Sequence, residues 1–363
     1  MANGPTPVGS RRPSNQAGAP MTVSEAMQEE AWISCEKIDE LLNDKISILA
    51  CTDGSDQCTC GLEMCLRGFT MTDRATKLDI VHFYDDSKTY LPPRLRRDAI
   101  QADVEAKCTS YLPQSRYSIR FRPKPTGKKV GQELCTMIEQ QNTSFVCLGF
   151  KGRSGRKDKH IVGSNVMEVM QRGKCSAIIF RTENPKELPI NRPTRFLVSA
   201  SLNVAATKAF VDALRLSKKG DEIHVVYIRP FLESHSAETA RTLALREKYD
   251  GFFAGLKDSE AWPSGKMSKF GDRDVKLVFA PQGMGEGIVE ALVRYAENWE
   301  ADFVLVGTNA LRVNSGKEYL GSISLQIAME FEGNVVVSNY MPTPEQQEKW
   351  QQRQQAKRQS VAS

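Results

Sequence analysis

Residues 145–165, FVCLGFKGRSGRKDKHIVGSN, combine a short apolar run, a basic loop with glycines and a helix start. The apolar run predicts a buried parallel strand that ends at Gly149. Gly152 follows in the loop, and Gly163 precedes an amphipathic segment. Glycines let a backbone approach an anion, and the N–H groups at a helix start favour negative charge. The stretch is a candidate phosphate site, although an ordinary strand–loop–helix connection with a solvated basic loop has the same pattern.

The pattern returns in the second half of the chain. FVLVGTNALRVNSGKEYLGS, residues 303–322, aligns without a gap with residues 145–164. Two copies with equal spacing indicate an internal repeat. The alignment pairs Gly149 with Gly307, Gly152 with Ala310, Gly163 with Gly321 and Ser164 with Ser322.

The composition indicates an intracellular protein with two cores. The chain has 363 residues, of which 40% are hydrophobic, and its formal net charge is +5. This length favours two domains, and the charge is too small to indicate a dedicated nucleic-acid binder. No apolar run reaches the length of a membrane span, and the N-terminus shows no apolar signal core. We therefore expect a cytoplasmic location and no membrane partner.

The cysteines are expected to be free thiols, because their number is odd, nine, and no secretory signal precedes them. Cys58, Cys60 and Cys65 have a spacing that suggests a metal or redox cluster. Cys58 and Cys65, however, share one helical face with Leu62, which is typical of core packing. No protein-bound structural metal is therefore expected.

Strands alternate with helical segments along the whole chain, which predicts an α/β fold with parallel sheets. Strands are predicted at residues 46–51, 78–84, 117–121, 145–148 and 176–180, and again at 196–200, 222–228, 275–280, 303–306 and 335–337. The expected organisation is a disordered tail (1–23), a first domain (24–183) that begins with a helix over 24–43, a proline-bearing linker (184–194), a second domain (195–340) and a polar tail (341–363).

Each half resembles the universal stress protein domain. The resemblance is carried by Asp53 and Ser55 after the first strand, and by the pattern G-x2-G-x10-G-S from Gly149 to Ser164. The family pattern has nine residues in its last spacer, one fewer than this chain. The resemblance implies two tandem doubly wound domains of the universal-stress-protein/HUP-like type, each with a five-stranded parallel sheet flanked by helices.

The resemblance also implies that ATP, with Mg²⁺, binds across the carboxyl ends of the first and fourth strands, where α/β sheets commonly hold ligands. A carboxylate at Asp53 can accept hydrogen bonds from ribose hydroxyls or the adenine amino group, although it could instead cap the following helix. By position, the implied nucleotide-binding residues are Thr52, Asp53, Ser55, Phe83, Gly149, Lys151, Gly152, Gly163, Ser164 and Asn165.

The second half departs from the pattern at three positions. Ser201 stands where the first half has Asp53, Asn203 replaces Ser55, and Ala310 replaces Gly152. A serine reaches less far than an aspartate and carries no charge. We therefore expect nucleotide binding in the first half and a degenerate site in the second.

The expected function is that of a nucleotide-dependent stress or regulatory protein with, at most, slow ATP hydrolysis. One alternative is a scaffold of the same fold that binds no nucleotide and engages protein partners through its tails. A second is an adenylate-transferring enzyme of the same class, but the turn after the first strand, TDGSD, has a single glycine.

Family members commonly pair two domains through their fifth strands. Here the fifth strands carry the apolar runs AIIF (177–180) and VVV (335–337), which would otherwise be exposed sheet edges. We expect these runs to lie side by side, so that the two halves form an internal pseudo-dimer and the chain is a monomer.

Overall fold

The computed structural model describes residues 42, 44–71, 76–152, 161–233, 239–258, 273–309 and 321–340. Several predicted features lie outside these residues. They are the two tails, most of the helix expected over residues 24–43 and the loop 153–160.

The first half alternates strands and helices as predicted. The strands are β1 (Ile46–Cys51), β2 (Thr76–Tyr84), β3 (Tyr117–Pro123), β4 (Phe145–Gly149) and β5 (Ser176–Phe180). The helices between them are α1 (Asp56–Arg67), α2 (Arg97–Tyr111), α3 (Val130–Gln140) and α4 (Ser164–Arg172).

The second half repeats this order. Its strands are β6 (Arg195–Ser199), β7 (Glu222–Arg229), β8 (Asp274–Pro281), β9 (Phe303–Asn309) and β10 (Asn334–Tyr340). Its helices are α5 (Val204–Leu216), α6 (Ala240–Asp258), α7 (Ile288–Asn298) and α8 (Ser322–Glu330). The predicted α/β class with five strands in each half is therefore confirmed.

All ten strands belong to one sheet, in the order β3-β2-β1-β4-β5-β10-β9-β6-β7-β8. Neighbouring strands are parallel within each half, while β5 and β10 are antiparallel, with Ile178 opposite Val336. The two apolar runs are thus in contact, as expected from the sequence. Each covers the edge of the other, so neither fifth strand is an open sheet edge.

Alternate side chains of the strands enter two separate cores, one on each face of the sheet. Ile48, Ile178 and Val336 belong to the core beneath α1, α2, α5 and α6. Their neighbours Leu49, Ile179 and Val335 belong to the core beneath α3, α4, α7 and α8. Each core includes residues of both halves, and the apolar character of β4 and β5 follows from burial on both faces.

The connection between the halves is fixed to the second half. Both Nη atoms of Arg192 donate to the carboxylate of Asp302, at 2.8 and 2.6 Å. Lys218 Nζ donates to the carbonyl of Ile190 at 3.1 Å, and Leu188 is buried. These contacts hold the segment that the sequence predicts as a linker.

None of the helices in the described ranges combines the length and the apolar character needed to cross a membrane.

The contact between β5 and β10 should be a major source of stability. Ile178 is completely buried, so Ile178→Ala should lower the free energy of unfolding by about 2–5 kcal/mol, measured by urea denaturation. Ile323→Ala is the matched control, because this isoleucine is 42% exposed and its loss should change stability by no more than about 0.5 kcal/mol. Equal effects of the two substitutions would contradict the importance of this contact.

Candidate functional site

The candidate site lies at the carboxyl ends of β1 and β4. These strands are parallel neighbours in the middle of the first half, with Ala50 opposite Cys147. The chain leaves β1 toward β2 on one side and returns through β4 on the other. This change of direction leaves a crevice between the two loops, which is where doubly wound folds commonly bind ligands.

The turn after β1 is held by three local interactions. Thr52 N–H donates to the carbonyl of Val81 at 3.0 Å, and Nδ1 of the buried His82 lies 2.7 Å from the carbonyl of Thr52. Asp53 Oδ1 accepts a hydrogen bond from Ser55 N–H at 3.0 Å. Gly54 has φ +80°, a conformation that favours glycine. The turn therefore fixes the start of the Asp53 side chain at the mouth of the crevice.

Ser55, rather than Asp53, caps helix α1. Its hydroxyl accepts a hydrogen bond from Cys58 N–H at 3.4 Å. The alternative interpretation of Asp53 as the helix cap is therefore wrong. Asp53 supports the cap indirectly, through its hydrogen bond with Ser55 N–H.

The end of β4 lies close against the start of α1. A Cβ atom on Gly149 would lie 2.9 Å from Cys58 Sγ and 3.2 Å from Cys58 N. This close approach requires a glycine at the position. The next residues are anchored by their backbones, because Phe150 N–H donates to Phe180 O and Lys151 N–H donates to Gln57 Oε1.

Helix α4 begins beside this loop. Gly163 N–H donates to the carbonyl of Phe150 at 3.0 Å, so this N–H is already used within the fold. The first helical hydrogen bond runs from Met167 N–H to Gly163 O. The N–H groups of Ser164 and Asn165 precede it and open the helix, which places partial positive charge at the crevice.

A cavity of about 530 Å³ occupies the crevice. The loop after β4 lies against the loop after β1, because a Cβ atom on Gly152 would be 3.3 Å from Asp53 Oδ2, and both residues line the cavity. The structure thus brings the two parts of the sequence pattern together. Eight of the ten predicted site residues line the cavity: Thr52, Asp53, Phe83, Gly149, Gly152, Gly163, Ser164 and Asn165.

The other two predicted residues are not among those that line the cavity. The Ser55 hydroxyl is used in capping α1. Lys151 is fixed through its backbone N–H to Gln57.

The cavity also has lining residues that the sequence interpretation missed. Charged ones are Asp85, Lys88, Lys124 and Lys129, and others are Cys51, Cys58, Val81, Val130, Leu134, Leu148 and Val166. The basic turn PKPTGKK after the third strand was a signal for two of the lysines. Lys88 follows β2 in the polar segment DDSK, which gives no such signal.

Burial and nearby charges control the ionisation of the cavity wall. Burial, and next the negative charge of Asp53, raises the pKa of the Cys58 thiol to about 12. Burial likewise raises the pKa of Cys51 well above its usual value. A hydrogen bond from the Ser87 hydroxyl, together with the charges of Lys124 and Lys88, lowers the pKa of Asp85. At neutral pH the wall therefore contains neutral thiols and an ionised Asp85.

Among the described residues, no group of three or more His, Cys, Asp or Glu side chains is arranged to hold a metal ion. Cys58, Cys60 and Cys65 are all buried on α1. Cys65 packs in the core as expected, together with Cys60, whereas Cys58, which was expected to pack there, lines the cavity.

The second half keeps the turn and the cap with different side chains. Ser201 Oγ accepts from Asn203 N–H at 3.2 Å, as Asp53 Oδ1 does from Ser55 N–H. Asn203 caps α5 by accepting from Ala206 N–H at 2.8 Å. The fold therefore does not require a carboxylate at position 53, because a serine makes the corresponding turn.

The neutral state of Cys58 predicts slow chemical modification. With a pKa of about 12, the thiolate fraction at pH 8 is on the order of one in ten thousand. Alkylation of Cys58 by iodoacetamide should be slow in the folded protein and should accelerate about tenfold per pH unit between pH 8 and 10. Peptide mass spectrometry measures the rate, and protein unfolded in urea is the control. Equal rates in folded and unfolded protein at pH 8 would contradict the shift.

Comparisons with known proteins give a family for the first half. Residues 47–181 match the model of the universal stress protein family. No curated protein matches the chain.

Solved structures similar to this chain include several universal stress proteins. A universal stress protein from Archaeoglobus fulgidus is 17% identical, with a TM-score of 0.49, and the match covers 81% of this chain and 98% of that one. A putative universal stress protein from Pseudomonas aeruginosa is 12% identical, with a TM-score of 0.49 and coverage of 82% and 94%. A universal stress protein in complex with cAMP is 17% identical, with a TM-score of 0.28 and coverage of 38% and 98%.

The family match spans β1 to the end of β5 and includes both loops of the crevice. Residues 47–181 of the chain therefore carry a domain of the universal stress protein family.

Proposed function

We propose that the cavity of the first half binds an adenine nucleotide, ATP with Mg²⁺, and that the protein acts as a nucleotide-dependent stress-response or regulatory module. The observation that carries the proposal is the convergence of Asp53, Gly152 and the start of α4 on one cavity. This convergence lies within the half that matches the universal stress protein family.

Each part of the cavity suits a part of the nucleotide. The Asp53 carboxylate can accept hydrogen bonds from ribose hydroxyls or the adenine amino group. Val81 and Phe83 at the end of β2 offer apolar surface to the base. The N–H groups of Ser164 and Asn165, and the Ser164 hydroxyl, can donate to phosphate oxygens. Mg²⁺ would enter bound mainly to the phosphates, as is usual for this ion.

The comparison between the halves supports a ligand role for Asp53. Ser201 and Asn203 make the same turn and cap without a carboxylate. The turn can therefore form without an aspartate at this position. The second carboxylate oxygen of Asp53, Oδ2, faces the loop after β4. We propose that the second half is a degenerate partner that binds no nucleotide.

The proposed role is binding and signalling rather than efficient turnover. Slow ATP hydrolysis would need a water activated by Mg²⁺. We further propose that the two halves act as an internal pseudo-dimer, because the β5–β10 contact covers the edges that separate domains would expose. The chain would then be a cytoplasmic monomer that needs no second copy.

ATP should stabilise the protein. A ligand present at a hundred times its dissociation constant adds about 2.7 kcal/mol to the free energy of unfolding. A thermal-shift series with ATP, ADP, AMP and GTP, each at millimolar concentration with Mg²⁺, measures this effect. An unchanged midpoint with ATP would refute the proposal and favour the scaffold function.

Asp53→Ser should remove nucleotide binding without unfolding the protein. The substitution introduces the residue of the second half, so the hydroxyl can still accept from Ser55 N–H while the carboxylate is lost. Titration calorimetry should show one site per chain in the wild type and at least a tenfold weaker affinity in the variant, about 1.4 kcal/mol or more. Ser201→Ala is the control and should leave binding intact. A stoichiometry near two would mean that the second half also binds.

A further inference from the structure

Three lysines of the cavity wall lie outside the glycine pattern of the family. Lys88 is in the loop after β2, Lys124 follows β3, and Lys129 precedes the first residue of α3. All three side chains are exposed and line the same cavity as Asp53. We refer to Lys88 and Lys124 as the lysine wall; Lys129 lies apart from them, at the start of α3.

The fold does not require lysines in the loop after β3, because the second half builds the corresponding loop without them. Residues 124–129, KPTGKK, correspond to residues 282–287, QGMGEG, with equal length. Lys124 N–H donates to Tyr84 O at 2.7 Å, and Gln282 N–H donates to Arg229 O at 3.0 Å.

The backbone of these two loops also turns in the same way. Gly127 has φ +72° and Gly285, its counterpart, has φ +75°. In this loop the counterparts of Lys124 and Lys129 are Gln282 and Gly287, neither of which is cationic. The positive charge of the loop is therefore specific to the half with the Asp53 cavity.

The lysine wall lies at the opposite end of the crevice from the start of α4. In the sheet, β3 and β4 are separated by β2 and β1. Three strand spacings of about 4.8 Å place their ends roughly 14 Å apart. Lys124, which follows β3, therefore begins far from a phosphate held at the start of α4, and Lys88 follows β2, the strand next to β3.

The charges near the far end favour an anion there. Asp85, Lys88 and Lys124 line the same part of the cavity wall, and the pKa of Asp85 is lowered first by the hydrogen bond from the Ser87 hydroxyl and then by the charges of Lys124 and Lys88. Two positive charges thus face one negative charge at this end. Lys129 instead adds a positive charge near the start of α4, since Gly131 N–H in the first turn of α3 donates to Asn165 Oδ1 at 3.1 Å.

We propose that the ligand is a nucleotide with two separated anionic groups, one held at the start of α4 and the other by the lysine wall. This inference rests on the proposed function and specifies its ligand class. The second group is a phosphate on a ribose hydroxyl or the phosphate chain of a linked second nucleotide. Asp53, between the two ends, accepts from the remaining ribose hydroxyl or from the base.

Titration calorimetry with four probes tests the ligand class: ATP, ADP, adenosine 3′,5′-bisphosphate and diadenosine tetraphosphate. ATP and the bisphosphate have similar total charge but place it differently. At least one ligand with separated phosphates should bind about tenfold more tightly than ATP, because charged hydrogen bonds at the second end add to its affinity. The probe that gains most identifies which of the two sources supplies the second group.

Variants assign the effect to the lysine wall. Lys88→Ala/Lys124→Ala should abolish the advantage of the separated ligand over ATP, because only that ligand places an anionic group beside these lysines. Lys45→Ala/Lys77→Ala removes two exposed lysines at the amino ends of β1 and β2 and should change neither affinity. Lys124→Gln, which introduces the residue of the second half, is a second variant that the loop accommodates.

The outcomes separate the two proposals. If ATP binds but no separated ligand binds more tightly, the ligand class is wrong and the proposed function stands. If the double variant weakens all four probes equally, the lysines act only as a general field and the ligand class is again wrong. If no probe binds to the wild type, the proposed function fails and the ligand class fails with it.

Discussion

The antiparallel contact between β5 and β10 is the constraint on which the rest of the structure depends. It joins two five-stranded parallel sheets into one sheet of ten strands. Both strands are buried on both faces, so each half contributes to the cores of the other. Polar groups beyond the strand ends make the junction specific. Arg181 donates to the carbonyls of Ala328 and Met329 at the end of α8, and Asn339 Nδ2 donates to Gly173 O at the end of α4.

These two polar contacts are related by the internal repeat, because each joins the exit of one fifth strand to the last helix of the other half. Arg181 also lies over the ring of Phe150, at 3.6 Å from its centroid, and Phe150 O accepts from Gly163 N–H at the start of α4. Burial lowers the pKa of Arg181 to about 10, yet the guanidinium stays charged at neutral pH. The domain junction and the candidate site therefore share a side chain.

Much of the fold was predictable from the sequence. The predicted bounds of β1 and β5 coincide with the structure, because short apolar runs between turn residues mark strands buried on both faces. The crevice was predicted from the glycine pattern. The roles of Asp53 and Ser55 could not be predicted, because both side chains can cap a helix and only the structure shows which one accepts from Cys58 N–H. The position of Lys88 on the cavity wall could not be predicted either, because a lysine in a polar loop usually points into solvent.

In the second half, the helix that follows the first strand lies closer to the neighbouring strand than in the first half. A Cβ atom on Gly307 would lie 2.0 Å from the carbonyl oxygen of Ala205, whereas the nearest atom to the corresponding position on Gly149 is Cys58 Sγ at 2.9 Å. The start of α5 therefore approaches β9 more closely than the start of α1 approaches β4. Nearby, Lys248 is buried and its Nζ donates to the carbonyls of Ser201 and Leu202, at 3.1 and 3.3 Å.

Lys248 thus binds the turn of the second half that corresponds to the Asp53 turn of the first half. The turn and the cap occur in both halves, and Gly149 and Gly163 have the counterparts Gly307 and Gly321. The carboxylate at position 53 and the lysines of the loop after β3 occur in the first half alone, while a closer backbone contact and the buried Lys248 occur in the second. The shared residues maintain the repeat, and the differing residues distinguish its two sites. The family pattern includes residues of both kinds, so it describes the first half better than the second.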